Sequence, residues 1–155
     1  MAHSVAGKKL TKVIDEVFRL NGAILKTGDH LTSDIGLTSS RWQILVSLKN
    51  GPMTVAEIAR EMGLSRQNVQ RIANRLKQDL FIEAQDNPAH LRSNLYTLTA
   101  LGQSSVDRIS EKQSKWANAM AKNMKDAELE QLSLLLNEYR QKIEKSLKET
   151  IEGEK

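Results

Sequence analysis

The chain has 155 residues and a mass of 17.4 kDa, which allows one domain with a modest core, or a small domain with an appended helical interface. Its formal net charge of +4 and isoelectric point of about 9.4 suit an anionic partner without requiring one. Cysteine is absent, so disulfides, a thiolate nucleophile and cysteine redox sensing are excluded. With no apolar run long enough to span a bilayer and no signal-peptide core, we expect a cytoplasmic protein without membrane contact.

The N-terminal third predicts one long helix followed by a loop. Met1–Gly7 is small and polar, which is typical of a frayed arm. From Leu10 to Leu25 the apolar residues recur at helical spacing and predict an amphipathic helix. Thr27–Leu37 is rich in turn formers and predicts a loop. The histidine in it, His30, is interpreted as a surface or partly packed residue, with a ligand-site role as the minority alternative.

A second helix is predicted after this loop. Thr38 or Ser39 can cap its first turn, and the turn formers at residues 50–52 end it. Its tryptophan, Trp42, is interpreted as a core residue rather than as a platform for a ligand. Residues 53–55 predict a brief strand before the next helix.

The stretch from Thr54 to Leu80 predicts two short helices joined by a glycine turn. Thr54 can cap backbone amides while Glu57 reaches back to the cap amide, which makes a capping box. Gly63 can take the left-handed conformation that ends a helix, and Ser65 can cap the one that follows. The first helix turns one apolar face inward, formed by Val55, Ile58, Ala59 and Met62.

The second helix of this pair presents amides and cations outward. Its inward stripe is predicted to be Val69, Ile72, Leu76 and Leu80. The outward residues, with no acid before Asp79, are Arg66, Gln67, Asn68, Gln70, Arg71, Asn74, Arg75 and Lys77. Such side chains pair with base edges and phosphates. An isolated helix face of this kind is more often simply solvated. The capped helix and glycine turn before it favour a helix-turn-helix instead.

A hairpin is predicted after this pair of helices. Short apolar runs at residues 81–84 and 95–98 flank the polar turn Gln85–Ser93, as in two strands joined by a tip. The tip would form the wing of a winged helix and carry His90 and Arg92. Arg92 suits a narrow minor groove, where negative potential is concentrated. A solvated loop arginine is the alternative.

Two further helices complete the chain. Thr99 can cap the first, which continues to about Met124, and Asp126 begins the last. The last helix carries a near-heptad stripe formed by Leu129, Leu132, Leu136, Tyr139, Ile143, Leu147 and Ile151. The first and last helices are predicted to pack together and against a second copy of the chain. An intramolecular bundle is the alternative.

The runs LTSSRWQILVSL, TVAEIAREMGLSRQNVQRIANRLKQDLFI and YTLTALG occur in this order over residues 37–103. They resemble the multiple antibiotic resistance regulator (MarR) family of winged-helix transcription factors. The resemblance implies a mainly α fold, with a winged helix-turn-helix DNA-binding domain at residues 37–99. Long N- and C-terminal helices, residues 1–36 and 100–155, would form the dimerisation region. The family also implies an obligate homodimer, a palindromic operator, usually repression, and release by a small phenolic or anionic effector.

The wing departs from the family pattern. Members commonly have Asp followed by one or two arginines at the tip, whereas this chain has Ala89-His90-Leu91-Arg92. The ion pair that usually braces the wing is therefore not expected to form in the same way, and a less rigid tip or weaker minor-groove binding is predicted. The role of Arg75, as phosphate ligand or as scaffold residue, stays open.

Specific roles on double-stranded DNA follow from these positions. Base readout is assigned to Gln67, Asn68 and Arg71, phosphate contact to Ser65, Arg66, Gln70 and Arg75, and the wing contact to Arg92. In a two-fold dimer the two recognition helices would lie about 34 Å apart, so the operator should be a pseudo-palindrome. No effector-site residue is assigned, and neither a cofactor nor a metal is expected, because the three histidines show no chelating spacing.

The sequence therefore predicts a DNA-binding transcriptional regulator, most simply a homodimeric repressor released by a small effector. An enzyme is not expected, because no Ser/His/acid set, metal-ligand cluster or phosphate-cradling glycine loop is present. A winged helix used for protein contact is the main alternative, since a fold does not dictate a function. A nonspecific architectural DNA binder is the third.

Overall fold

A computed structural model describes residues 3–90 and 92–153 of the chain. The helices are α1 (Val5–Thr32), α2 (Ser39–Ser47), α3 (Val55–Met62), α4 (Arg66–Gln78), α5 (Ala100–Ala121) and α6 (Asp126–Gly153), and the strands are β1 (Met53–Thr54), β2 (Ile82–Gln85) and β3 (Leu95–Leu98). None of these helices has an apolar stretch of the length needed to cross a membrane. The chain divides into two compact units, Met1–Gln113 and Ser114–Lys155.

The first unit contains the winged helix-turn-helix that the sequence predicts. Its three strands form an antiparallel sheet in the order β1-β3-β2, in which Met53 pairs with Tyr96 and Gln85 pairs with Leu95. One apolar core joins α2, α3, α4, the sheet and the first half of α5. Its largest fully buried side chains are those of Ile44, Leu45, Ile58, Val69, Leu76, Ile82, Val106 and Ile109. This shared core fixes α4 relative to the hairpin.

Helix α1 begins earlier than the sequence predicts. The Ser4 hydroxyl accepts a hydrogen bond from the Gly7 amide at 3.0 Å and caps a helix that begins at Val5. The prediction of a frayed arm over Met1–Gly7 is therefore wrong from Val5 onward, because a serine cap is sufficient to start the helix there. The first two residues of that prediction lie outside the described part of the chain.

Helix α1 also runs further than predicted, since most of the expected loop at Thr27–Leu37 is helical to Thr32. The Thr32 hydroxyl donates to the Gly28 carbonyl at 2.9 Å and lies 2.7 Å from the Leu37 carbonyl, which supports the helix end from inside. A Cβ at Gly28 would collide with the Ser39 side chain, so the glycine permits α1 and α2 to cross closely. Packing at this crossing outweighs the turn preference of the individual residues.

The end of α4 corrects a second expectation. Leu80 was predicted to complete the inward stripe, but the helix ends at Gln78 and Leu80 takes a φ of 61° with its side chain exposed. The Phe81 amide donates to the Leu76 carbonyl at 2.9 Å, which turns the chain away from the helix axis. Phe81 then enters the core in place of Leu80. The stripe of α4 is completed by buried Ala73.

Helix α5 begins with the cap that the sequence predicts. The Thr99 hydroxyl oxygen accepts from the Gly102 amide at 3.1 Å, while the hydroxyl donates to the Leu80 carbonyl at 2.6 Å. A Cβ at Gly102 would overlap the Phe81 carbonyl oxygen, so only glycine allows this close approach of helix and chain. These contacts anchor the beginning of α5 to the segment that leads into the wing.

The second unit consists of the end of α5 and the whole of α6. Helix α6 begins at Asp126, as predicted, and none of its described residues is buried in the single chain. Its exposed apolar residues include Leu132, Tyr139, Ile143 and Leu147. Ion pairs between residues one turn apart lie on its polar side, such as the pair of Arg140 and Glu144 at 2.9 Å.

Candidate nucleic-acid interface

Helix α3 is capped as its sequence predicts. The Thr54 hydroxyl accepts from the Glu57 amide at 3.3 Å, and the Thr54 amide donates to Glu57 Oε2 at 2.7 Å. The hydrogen bond from the Thr54 backbone amide, followed by that from its hydroxyl, holds the pKa of the Glu57 carboxyl below its ordinary value. The carboxylate of Glu57 thus has a structural role in capping α3.

A tight turn joins α3 to α4. Gly63 takes the left-handed conformation, with a φ of 64°, and the Leu64 amide donates to the Ala59 carbonyl at 2.9 Å. The Ser65 hydroxyl then accepts from the Asn68 amide at 3.2 Å and caps α4. The capping box, the glycine turn and the second cap are confirmed. Ser65 keeps its own hydroxyl hydrogen available at the N-terminus of α4, where anions are attracted.

The outward face of α4 is exposed as predicted. Val69, Ile72 and Leu76 face the core. The exposed residues of the opposite face are Arg66, Gln67, Gln70, Arg71, Asn74, Arg75 and Lys77, and Asn68 is half-buried. No apolar residue lies on this face, which distinguishes it from a surface built for protein contact.

An open cleft of about 1350 Å³ separates α4 from the wing. Five of the eight residues predicted to contact DNA line it together: Arg66, Gln67, Gln70, Arg71 and Arg92. Ser65, Asn68 and Arg75 do not line this cleft. Asn68 and Arg75 line a second cleft on the other side of the helix, and Arg71 lines both.

The cleft between α4 and the wing is strongly cationic. Its described lining contains the positively charged residues Arg60, Arg66, Arg71, Lys77 and Arg92, and Glu57 is the single acid among them. Because concave surfaces with one sign of charge concentrate the electric field, this cleft attracts a polyanion. Arg60 on α3 was missed by the sequence analysis. Only the fold brings that face of α3 beside the wing.

Two of the predicted base-reading residues are hydrogen-bonded to one another. The Arg71 guanidinium donates to Asn68 Oδ1 at 3.0 Å, across one turn of α4. This contact restrains Arg71 before any ligand arrives, since a side chain with many rotamers otherwise loses freedom on binding. Gln67 is exposed and lines the cleft.

Gln70 connects α4 with the sheet. Its side-chain nitrogen donates to Asn74 Oδ1 at 2.9 Å and to the hydroxyl of Tyr96 at 3.1 Å. Both amide hydrogens are therefore engaged, while Oε1 is left as an acceptor. A phosphate contact by Gln70 would require one of these hydrogen bonds to open.

Arg75 has a protein partner while remaining exposed. Its Nε lies 3.3 Å from Asp79 Oδ2, and Arg41 Nη2 lies 2.5 Å from the same oxygen. Arg41 is largely buried and also donates to the Gly36 carbonyl at 3.2 Å. Asp79 thus joins the end of α4 to α2, with Arg41 as its inner and Arg75 as its outer partner. The side chain of Arg75 stays 65% exposed and can reach a ligand.

The wing carries Arg92 without an ion pair to brace it, as the departure from the D-x-R-R pattern predicts. Within residues 3–90 and 92–153, Arg92 forms no ion pair and its side chain is exposed on the cleft. The tip is instead closed by Asn87, which is 7% exposed. Asn87 is not among the residues predicted from the sequence to form the site. Leu91, part of the wing-tip sequence discussed above, lies outside the described residues.

A second, smaller cleft of about 430 Å³ lies against the other side of α4. It is lined by Leu25, Asp29, Thr38, Ser39, Ser40, Arg41, Asn68, Arg71, Ile72 and Arg75. Its three arginines make it attractive to a small anion, and Asp29 Oδ1 is occupied by the Ser39 amide at 2.6 Å. Trp42 packs against the core, as predicted, and His30 is exposed on α1. No cluster of three or more His, Asp or Glu suitable for a metal ion occurs among the described residues.

Comparison with known proteins relates the chain to one family. A sequence model of the MarR family matches residues 35–93. An uncharacterized protein of Mycobacterium tuberculosis is 32% identical over 122 residues, covering 79% of this chain and 85% of that protein. The HTH-type transcriptional repressor IacR of Pseudomonas putida is 23% identical, with 76% and 71% covered. The transcriptional activatory protein BadR of Rhodopseudomonas palustris is 33% identical over 82 residues, with 50% and 46% covered.

Solved structures share the fold. A MarR/EmrR family transcriptional regulator from Acinetobacter superposes with a TM-score of 0.79 at 21% identity, over 87% of this chain and 96% of that one. MepR of Staphylococcus aureus, solved as a complex with DNA, superposes with a TM-score of 0.73 at 16% identity, over 83% and 96%. At these identities the likeness concerns the fold.

Proposed function

The chain is a member of the MarR family of DNA-binding transcription regulators, and from this premise we propose that it is a homodimeric repressor that reads a pseudo-palindromic operator. The observation that carries the proposal is the cationic cleft between α4 and the wing. Base-reading side chains of α4 form one wall, with Gln67 and Arg71 at its surface, and Arg92 forms the other. A duplex that docks on this cleft would meet α4 in its major groove and the wing in its minor groove.

The roles of the individual side chains follow from what they can donate. Arg71 can donate two hydrogen bonds to guanine, and Gln67 and Asn68 can pair with adenine. Ser65, Arg66 and Arg75 lie where they can hold phosphates, and Gln70 can donate to a phosphate once its hydrogen bond to Asn74 or to Tyr96 opens. Phosphate contacts position the protein, whereas base contacts distinguish one sequence from another.

Dimerisation is proposed from apolar surface that the single chain exposes. Helix α1 exposes Leu10, Val13, Val17 and Phe18, and α6 exposes the stripe described above. Apolar stripes of this length are expected to be covered in solution, and a second copy of the chain would cover them symmetrically. Sedimentation of the wild type should give twice the chain mass, and Leu132→Arg should yield monomers. A wild type that sediments as a monomer at micromolar concentration would contradict the proposal.

Release by a small phenolic or anionic effector is proposed at the second cleft. Arg41, Arg71 and Arg75 can neutralise a carboxylate or phenolate there. A hundredfold loss of operator affinity needs about 2.7 kcal/mol of preferential binding to the released state. Salicylate can serve as the probe: it should raise the melting temperature and weaken operator binding in the wild type, and should do neither in Arg41→Ala.

The decisive experiment is selection of bound fragments from the genomic DNA of the source organism. A specific regulator should prefer the selected operator to bulk DNA at physiological salt by about 10³-fold or more. Equal binding to both would support an architectural DNA binder instead. The proposal carries with it a cytoplasmic location, because chromosomal operators lie there.

Activation is the second candidate for the sign of regulation, favoured by the similarity to BadR. In vitro transcription from the selected promoter distinguishes repression from activation. A repressor should reduce the amount of transcript as the protein is titrated, and an activator should increase it. The proposal of repression agrees with the similarity to IacR, which extends over more of the chain.

A further inference from the structure

The tip of the wing is organised by one buried amide. Asn87 Oδ1 accepts a hydrogen bond from the Ala89 amide at 3.0 Å, and Asn87 Nδ2 lies 3.3 Å from Ser93 Oγ. Because a backbone N–H can only donate, its contact with Oδ1 fixes the orientation of the Asn87 side chain. Its burial is unusual for an asparagine in a surface loop, and these two contacts account for it.

Backbone hydrogen bonds extend this closure over the tip. The His90 amide donates to the Asn87 carbonyl at 3.1 Å, and the Ser93 amide donates to the His90 carbonyl at 3.0 Å. These two bonds link Asn87, His90 and Ser93 in series, and the contact between the side chains of Asn87 and Ser93 closes them into one unit. Every partner in this unit is electrically neutral.

Arg92 directly precedes Ser93, the last residue of this unit. Its side chain is exposed and lines the cleft opposite α4. Asp86, the nearest acid in sequence, is also exposed, and within the described residues it forms no ion pair with Arg92. Among the described residues, the closure of the wing therefore pairs no acid with the guanidinium of Arg92.

We propose that Asn87 is a positioning residue for DNA binding, which holds Arg92 in place for the minor groove through hydrogen bonds between neutral groups. The inference rests on the proposed function, in which Arg92 is the wing contact. A neutral closure has two physical consequences. Salt does not screen it, whereas an exposed ion pair weakens as ionic strength rises. It also orders the turn before DNA arrives, so less conformational entropy is lost on binding.

A double-mutant cycle on the intact protein tests whether Asn87 acts through Arg92. The variants are Asn87→Ala, Arg92→Ala and the double variant, titrated with a selected operator duplex of about 30 base pairs. Arg92→Ala should weaken binding about tenfold and flatten the salt slope by about one unit. Asn87→Ala should cause a similar loss. The double variant should bind no more weakly than Arg92→Ala alone, because the contact that Asn87 supports is already absent.

Base-pair replacements in the operator test whether the wing contacts the minor groove. In the pairs beneath the wing, replacing A·T with G·C should weaken the wild type, whereas inosine–cytosine pairs, which keep the minor-groove surface of A·T, should restore binding. Both Asn87→Ala and Arg92→Ala should lose this discrimination. A residue that only stabilises the fold would not alter it.

Two control variants distinguish the effect of the hydrogen bonds that close the tip from the effect of charge near Arg92. Asn87→Asp keeps an oxygen for the Ala89 amide, loses the contact from Nδ2 to Ser93 Oγ and offers Arg92 a carboxylate, so it should weaken operator binding at least as much as Asn87→Ala does. Asp86→Asn, one residue earlier and exposed, removes a charge without touching the closure and should bind at least as tightly as the wild type.

The outcomes are distinct. The inference is overturned if Asn87→Ala binds like the wild type, or if it weakens binding equally in the presence and absence of Arg92. It is also overturned if the wild type selects its operator while Arg92→Ala binds just as well, a result that leaves the proposed function standing. If the wild type prefers no DNA sequence at all, the proposed function fails and this inference fails with it.

Discussion

The side-chain amide of Gln70 donates to the Tyr96 hydroxyl at 3.1 Å and so connects the outward face of α4 to the central strand of the sheet. Tyr96 is 5% exposed, and its ring belongs to the apolar core. The position of α4 and that of the wing strand are therefore coupled through one polar contact at the base of the cleft. A shift in the position of either element would therefore alter the position of the other.

Replacing Tyr96 with phenylalanine removes this contact and keeps the ring. We expect Tyr96→Phe to lower the free energy of unfolding by about 0.5–1.5 kcal/mol, because the Gln70 amide loses a partner. Operator binding should weaken by several fold, because Gln70 is then free to reorient. Urea unfolding and operator titration measure the two effects. Wild-type affinity in Tyr96→Phe would show that the contact is dispensable.

Arg71 and Arg66 should differ in what they contribute to DNA binding. Arg71→Ala is expected to cost about 1–3 kcal/mol of operator binding and to relax sequence preference, because a base contact is lost. Arg66→Ala should weaken binding to all sequences alike and flatten the salt slope by about one unit, because a phosphate contact is lost. Titrations of operator and random duplex over a range of salt measure both. Lys49→Ala, exposed and outside both clefts, is the matched control and should resemble the wild type.

Two substitutions in the ion-pair cluster at the end of α4 should have different effects, one on stability and the other on DNA binding. Asp79→Asn should lower the free energy of unfolding by about 1–3 kcal/mol, because it leaves the largely buried Arg41 without its carboxylate partner. Arg75→Ala should change stability by no more than about 0.5 kcal/mol, because its pair with Asp79 is exposed. It should nevertheless weaken DNA binding. If Arg75→Ala is instead the more destabilising change, Arg75 is a scaffold residue.

Acid should weaken the cap of α3. The pKa of Glu57 is lowered in the folded state, first by the hydrogen bond from the Thr54 backbone amide, so folding favours its carboxylate form. Its contribution to stability is therefore complete above the unfolded pKa of about 4.3 and is lost as the pH falls through the lower folded value. Urea unfolding should show that Glu57→Gln is destabilising at pH 7 and less so at pH 3. An equal deficit at both pH values would show that charge is not involved, and Glu61→Gln on the same helix is the control.

The parts of the site that the sequence predicts are those set by local chemistry. Thr54, Gly63 and Ser65 each act on amides or dihedral angles within a few residues, so their roles follow from residue type and spacing. The outward face of α4 follows in the same way from the periodicity of its apolar residues.

The parts that the sequence does not predict depend on contacts between distant segments. The helical turn that ends at Thr32 is stabilised by the crossing with α2, which turn preferences do not reveal. Leu80 is exposed because Phe81 takes its place in the core. Asn87 lies within the polar turn predicted at Gln85–Ser93, and its burial becomes evident only from its contact with Ser93 in the folded wing. Local preference is overridden wherever packing decides.

The central claim is that two copies of α4 enter successive major grooves on one face of the duplex. The most direct measurement is the affinity of the wild type for its selected operator before and after about 5 base pairs are inserted at the centre, which rotates one half-site by half a helical turn. The account predicts that the insertion reduces affinity to that of a single half-site. Unchanged affinity for the lengthened operator would contradict it.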